Sequence, residues 1–332
     1  MNQLRILIVR PDRIGDVVLS TPIPREIKRV FPQSYIAVLL KPYTKDIYEN
    51  NPYIDKIILY NEKELSFNHF FKIRKYNFTH AFMLLPTEKI NWILFYCGIK
   101  KRIGVGQKFY QFVTNTKSVY RRHYNPPRHE ADYCLDMVRK IEINPLSNEP
   151  EIHLSEPEIE RVYKLKSEYC PNNEMIIGIN STSGESAPNW KINEYKKLIE
   201  KLLLVKNAIV AVTDNNPPEE IKNIKHVIYP NIGNTLRESI LNFAALDLLV
   251  SNSTGPMHIA SALKIKTISL FSREPACSPQ LWGPLGNDST ILLPEKNADI
   301  QNAFPDPKNY HFEGEGGINA ETVFNKIISI LI

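Results

Sequence analysis

The sequence predicts an α/β protein made of two Rossmann-like domains facing across a cleft, with a C-terminal helix. Three observations predict it. Short apolar runs alternate with helix-length amphipathic stretches, the signature of parallel α/β units. The alternation restarts near the middle of the 332-residue chain. In each half the first apolar run passes straight into a turn of small or polar residues, and sheets of this kind bind ligands outside the carboxyl ends of their strands.

In the first half, strands are expected at residues 5–9, 35–40, 56–60 and 81–85, with helices at 17–31, 90–97 and 130–141. Pro22 and Pro24 lack the amide hydrogen that a helix interior needs, so the 17–31 helix is expected to begin late. Tyr133, Met137 and Ile141 recur at helical spacing and define one face of the 130–141 helix. Pro145, Ser147, Asn148 and Pro150 make the next stretch loop-like, which sets the domains at residues 1–150 and 151–332. Ser155 is a suitable N-cap for a helix over 155–169, which Pro171 interrupts. Strands at 175–179, 208–213, 248–251 and 267–271 then alternate with helices at 192–203, 236–246 and 258–263, and residues 320–331 read as a last amphipathic helix.

Composition narrows the class. Hydrophobic residues make up 43% of the chain and charged residues 23%, ordinary values for a soluble globular protein. No run reaches the roughly eighteen apolar residues of a membrane span. The first apolar segment is followed at once by Arg10, Asp12 and Arg13, so it reads as a strand and not a signal peptide. A cytoplasmic protein is expected. Cys97, Cys134, Cys170 and Cys277 are far apart, which indicates neither a zinc site nor a disulfide framework.

The net charge of +5 is mild but unevenly spread. Between Lys89 and Arg128 there is no Asp or Glu. Nine cations, among them Lys100, Lys101, Arg102, Lys108, Lys117 and Arg122, alternate there with Phe109, Tyr110, Phe112, Tyr120 and Tyr124. A solvated basic face is the bland explanation. The sharper one is a surface for an anionic glycolipid or the inner leaflet of a membrane. No nucleic-acid-binding module accompanies it.

Three turns carry candidate chemistry. Ser251-Asn252-Ser253-Thr254-Gly255-Pro256-Met257-His258 joins a buried strand to a helix, whose free amides and dipole favour an anion such as a phosphate. Its bland alternative is a capped turn, with Ser253 or Thr254 as N-cap and His258 on the surface. Arg10-Pro11-Asp12-Arg13-Ile14-Gly15-Asp16 ends the first strand. Asp16 is there either an N-cap or a general base that takes a proton from an attacking hydroxyl. Asn180 to Lys191 is hydroxyl-rich and resembles a phosphate cradle in composition, with Trp190 read as a packing residue. Gly104-Val105-Gly106 is discounted as a dinucleotide fingerprint, because Phe109 occupies the third glycine position. No Asp-x-Asp occurs and the histidines show no metal-ligand spacing, so neither a metal nor a cofactor is expected.

Taken in order, the pieces resemble glycosyltransferase family 9, the lipopolysaccharide heptosyltransferase family. They are residues 6–9 with Gly15-Asp16 and Thr21-Pro22, Asn51-Pro52-Tyr53-Ile54-Asp55, Arg102-Ile103-Gly104, His129-Glu130, the 253–258 turn with Ala260 and Ala262-Leu263, and Cys277-Ser278-Pro279 with Trp282-Gly283-Pro284. The resemblance implies a GT-B fold and an inverting, metal-independent transferase for lipopolysaccharide biosynthesis. Its implied donor is a nucleotide diphosphate sugar, ADP-heptose in the best-known members, and its implied acceptor an anionic glycolipid or oligosaccharide. Asp16 takes the base role. Ser253, Thr254, Gly255 and His258 take the donor diphosphate, with Ser181, Thr182 and Lys191 beside them. Arg13, Lys100, Lys101 and Arg102 are assigned to the acceptor, on a protein peripheral to the inner face of the cytoplasmic membrane. Two positions depart from the family pattern: Ser253 stands where many members have Asp, and Pro188 where many have Lys. An epimerase of the same fold and a non-catalytic nucleotide-sugar binding protein stay open as alternatives.

Overall fold

The computed structural model describes residues 3–85, 87–121, 127–172, 174–184, 188–295, 312 and 316–331. Arg122, His123 and Tyr124 of the basic stretch, Glu185, Ser186 and Ala187 of the hydroxyl-rich loop, and His311 lie outside them. The chain divides into two compact units, Met1–His153 and Leu154–Ile332.

The strands of the first unit are β1 Arg5–Val9, β2 Tyr35–Leu40, β3 Lys56–Leu59, β4 His80–Met83, β5 Lys101–Val105 and β6 Lys117–Val119. They form one parallel sheet in the order β3-β2-β1-β4-β5-β6. Its helices are α1 Ile14–Val18, α2 Pro22–Val30, α3 Ser66–Arg74, α4 Glu88–Tyr96, α5 Phe109–Val113, α6 Glu130–Cys134 and α7 Asp136–Arg139. Side chains alternate along a strand, so Leu7, Val9 and Leu39 pack with Ile73 of α3 and Ile90 and Leu94 of α4. Ile6 and Ile8 point the other way and are equally buried. A parallel sheet covered on both faces needs such unbroken apolar strands.

The second unit repeats the plan with β7 Met175–Asn180, β8 Ala208–Val212, β9 Val227–Ile228, β10 Leu248–Asn252, β11 Lys266–Leu270 and β12 Ser289–Leu292. The order is β12-β11-β10-β7-β8-β9, the same topology counted from the unit's own first strand. Helices α8 Glu156–Tyr169, α9 Ile192–Leu202, α10 Leu236–Ala244, α11 Gly255–Ala262, α12 Pro279–Trp282 and α13 Ala320–Leu331 complete it. Leu198 and Leu202 of α9 and Val323 and Ile327 of α13 cover one face, against Ile177, Ile179, Val210 and Val250. Each such side chain contributes about 1.5–3 kcal/mol on burial.

Several expectations change. The 17–31 helix is two helices, because Pro22 cannot donate to the carbonyl of Val18. Thr21 Oγ1 donates to that carbonyl instead, at 2.7 Å, and Ser20 Oγ donates to Val17 O at 2.7 Å. The 130–141 helix likewise splits into α6 and α7. Strands β5 and β6 lie inside the basic stretch, where charged residues hide the apolar alternation. Gly104 belongs to β5: a Cβ there would meet Gln111 Nε2 of α5 at 2.8 Å, so this glycine serves close packing.

Candidate active site

In a sheet of this order the chain reverses direction of growth between its first and fourth strands, and the crevice at their carboxyl ends is the natural ligand site. In the first unit that point lies between β1 and β4, and Arg10 spans it. Arg10 is 3% exposed; its Nη1 donates to Leu84 O at 3.2 Å, and its Nη2 donates to Asp16 Oδ1 at 2.7 Å and Glu130 Oε1 at 3.3 Å. Glu130, at the N-terminus of α6 behind the N-cap His129, accepts from Arg121 Nη1 at both carboxylate oxygens, each at 2.8 Å. Burial alone would lower the pKa of Arg10, but Cys134 and the carboxylates of Asp16, Glu130 and Asp12 raise it on balance.

Asp16 is the third residue of α1, whose N-cap is Arg13, so the N-cap reading of Asp16 fails. Its side chain is 22% exposed. Burial pushes its carboxyl up to about 6, against the opposing pull of Arg10. Arg10 engages Oδ1, and among the described residues no protein donor reaches Oδ2. The arrangement is a partly desolvated carboxylate held at one oxygen and available at the other. Arg13 is exposed beside it.

Lys100, Lys101 and Arg102 do not join this group. Register pairs Lys101 with His80 and Gly104 with Met83 in parallel strands, so Lys101 lies at the amino edge of the sheet, opposite Asp16. Arg102 is not a surface cation at all. It is 6% exposed, donates to the carbonyls of Ile99 and Thr114, and lies 5.1 Å over the Phe95 ring.

In the second unit the reversal falls between β7 and β10. Thr254 occupies the N-cap position of α11 with extended backbone, yet its hydroxyl makes no cap bond. That hydroxyl is buried and has no hydrogen-bond partner among the described residues. Gly255 and Met257 have amides in the first turn, whereas Pro256 has none. His258 is 4% exposed, which removes the surface reading, and Ser253 is half-buried at the turn.

The hydroxyl-rich loop differs from the phosphate cradle its composition suggests. Asp214, which is 1% exposed after β8, accepts from the amides of Ser181 at 3.0 Å and Thr182 at 2.8 Å, and from Asn180 Nδ2 at 2.9 Å. Both hydroxyls, Ser181 Oγ and Thr182 Oγ1, donate to it as well. The chain's own carboxylate fills the anion cradle, because β8 is the sheet neighbour of β7. Asn189 Nδ2 donates to Ser181 O at 2.8 Å, and Asn252 donates to Asn189, which ties this loop to the Thr254 turn. Lys191 is half-buried at the N-cap of α9, Pro188 is buried, and Trp190 Nε1 donates to Ile318 O at 2.9 Å.

Sequence reasoning missed Glu130, Arg121, Asn189, Asn252 and Asp214 as members of these sites. The one available signal was positional: Asp214 directly follows an expected strand, as Arg10 and Asn252 do.

Comparison with known proteins bears on the family and the fold. The family model for glycosyltransferase family 9 (heptosyltransferase) matches residues 67–306. A glycosyltransferase of provisional assignment from Haemophilus influenzae is 27% identical over 304 residues, covering 85% of this chain and 86% of that protein. Lipopolysaccharide heptosyltransferase 2 of Escherichia coli is 21% identical, covering 87% and 88%. Among solved structures, the family 9 glycosyl transferase of Veillonella parvula has a TM-score of 0.77 at 19% identity, covering 99% of this chain and 97% of that one. The ADP-heptose heptosyltransferase II of Escherichia coli has a TM-score of 0.76 at 17% identity, covering 99% and 98%. The fold is therefore of the GT-B type. With most of its length matched by the family's model and its two sheets built on the family's plan, the chain belongs to glycosyltransferase family 9, and it is a glycosyltransferase of the heptosyltransferase kind.

Proposed function

We propose that this protein is an inverting, metal-independent transferase that moves a heptose from ADP-heptose to an anionic lipopolysaccharide-core or related glycan. The first unit presents the acceptor and the second holds the donor. The acceptor hydroxyl donates its hydrogen bond to Asp16 Oδ2 and loses its proton to that oxygen as it attacks the anomeric carbon. The new C–O bond forms as the bond to the nucleoside diphosphate breaks. Charge gathering on the leaving phosphate is met by the Thr254 hydroxyl, the Gly255 and Met257 amides and His258, an arrangement of fixed donors that needs no rearrangement during the step. Lys191 is the nearest cation in sequence to Pro188, where many family members carry Lys.

The observation that carries this reading is the Asp16 carboxylate: one oxygen pinned by Arg10, the other open, and a pKa of about 6. A base with that value is ionised at neutral pH and still a good proton acceptor. Support for the donor comes from the Escherichia coli relative described as an ADP-heptose enzyme and from the buried Thr254 hydroxyl. A thermal-shift screen against ADP-, UDP-, GDP- and CDP-sugars, followed by transfer assays on the donor that binds, tests the proposal. Stabilisation by ADP-sugars with product formed only when acceptor is present is expected. Turnover of the donor alone would make the protein an epimerase, and nucleotide binding without product under any acceptor would make it a binding protein.

A further inference from the structure

The loop after β7 and the turn after β10 are distant in the chain, yet a directed line of hydrogen bonds joins them. Its direction follows from the group at its fixed end. Ser181 O is a carbonyl and can only accept, so the Asn189 side chain must turn Nδ2 toward it, and this bond is 2.8 Å long. Asn189 therefore presents Oδ1 on its other side. An oxygen there requires an N–H, and Asn252 supplies it from Nδ2. Neither amide can flip without setting two oxygens against each other.

Both ends of this relay are anchored. The Ser181 amide and hydroxyl donate to Asp214, which also holds the Thr182 amide at 2.8 Å. Trp190, the residue after Asn189, is buried and tied by its indole N–H to Ile318 O. At the far end Asn252 is the last residue of β10 and is 1% exposed. Thr254 follows two positions later as the N-cap residue of α11, and its side chain makes no cap bond. A capping hydroxyl ordinarily fixes the first turn of a helix by accepting from one of its amides. Here that bond is forgone, the hydroxyl stays uncommitted, and the approach to α11 is held instead by the side chain of Asn252.

We infer that Asn189 and Asn252 are positioning residues for transfer. Together they hold the Thr254 turn against the loop that Asp214 fills, which leaves the Thr254 hydroxyl and the Gly255 and Met257 amides for the donor diphosphate. The inference rests on the proposed donor site, but the relay needs no ligand and is testable without one.

Hydrogen–deuterium exchange of the free full chain reads the relay alone. Asn189→Ala changes a half-buried residue 63 positions before Asn252. It should raise exchange at residues 253–258 about threefold to tenfold, the worth of one net hydrogen bond, and leave β1 unchanged. Calorimetry then reads the donor. Asn189→Ala, Asn252→Ala and the double variant should each bind ADP about threefold to tenfold more weakly. The double variant should lose no more than the worse single one, because either change breaks the whole relay. Adenosine binding should stay at the wild-type value, whereas a general loosening of the unit would weaken both ligands. Thermal unfolding checks that each variant is folded, and Asn189→Ala carries the exchange test by itself. Exchange at 253–258 equal to wild type overturns the inference whatever the nucleotides do. So do losses that add in the double variant, and so does an equal loss for ADP and adenosine. Wild type that binds no nucleoside diphosphate, with exchange still raised in Asn189→Ala, would sink the proposed donor site and confine the relay to the fold.

Discussion

Replacing Asp16 with Asn separates the chemistry of its carboxylate from its place in the fold. The carboxyl is raised from 3.8 to about 6, chiefly by burial. A shift of roughly two units at about 1.4 kcal/mol each makes its ionisation cost the folded state on the order of 3 kcal/mol. Below about pH 4 the group is protonated in both folded and unfolded chains, and no cost is felt. Between about pH 4 and 6 only the unfolded chain ionises it, so stability falls as pH rises; above about pH 6 the penalty is complete. The Asn variant lacks that penalty. It also loses the ion pair with Arg10, but the attraction of Arg10 is already contained in the value of about 6, so it adds no further dependence on pH. The difference in melting temperature between variant and wild type should therefore move by about 6–12 °C in favour of Asn between pH 4 and pH 7.5, at about 2–4 °C per kcal/mol. Turnover should fall about 10²–10⁴-fold with donor affinity unchanged. Wild-type activity should rise with pH through about 6. Thermal unfolding across pH and steady-state transfer assays decide the matter. A melting difference that does not change with pH would refute the desolvated carboxylate, and near-normal turnover of a folded variant would refute the base.

The other expectations follow from the same geometry. Glu130→Gln leaves Arg10 and Arg121 without their shared buried carboxylate, which should cost about 3–5 kcal/mol in thermal unfolding. Because Glu130 raises the pKa of Asp16, the acid limb of the activity profile should also move to lower pH, and an unmoved limb would uncouple the two residues. His258→Ala should weaken ADP binding by about 1.5–3 kcal/mol in calorimetry and leave adenosine binding unchanged, since the lost hydrogen bond is to a charged phosphate. Equal losses for both ligands would remove His258 from the diphosphate. Gly283→Ala should lower stability by about 1–3 kcal/mol, because the added Cβ would lie 2.5 Å from Pro279 O; a variant that melts like wild type would show that the α12 turn yields freely.

What the sequence determined by itself was local or repetitive. Apolar runs such as 5–9 and 175–179 announce buried strands, because a strand covered on both faces must be apolar at every position. Ser155 marks the start of α8, because a helix must satisfy its first amides close by; the structure adds Glu158, whose carboxylate accepts from Ser155 N at 2.8 Å. Gly15-Asp16 and Thr254 to His258 were legible as candidate sites because each follows a strand directly. Only the tertiary structure decided which charges meet. Arg10 and Glu130 are brought to 3.3 Å across 120 positions of chain, and nothing in the periodicity of either segment pairs them. Strand order alone set Asp214 under Ser181 and Thr182 and turned an apparent phosphate cradle into an internally filled one. It also buried Arg102 and left Lys101 at the edge of the sheet opposite Asp16. A sequence records the kind of charge at each position, whereas its burial and partners depend on which strands lie side by side, and that is settled by packing between segments far apart in the chain.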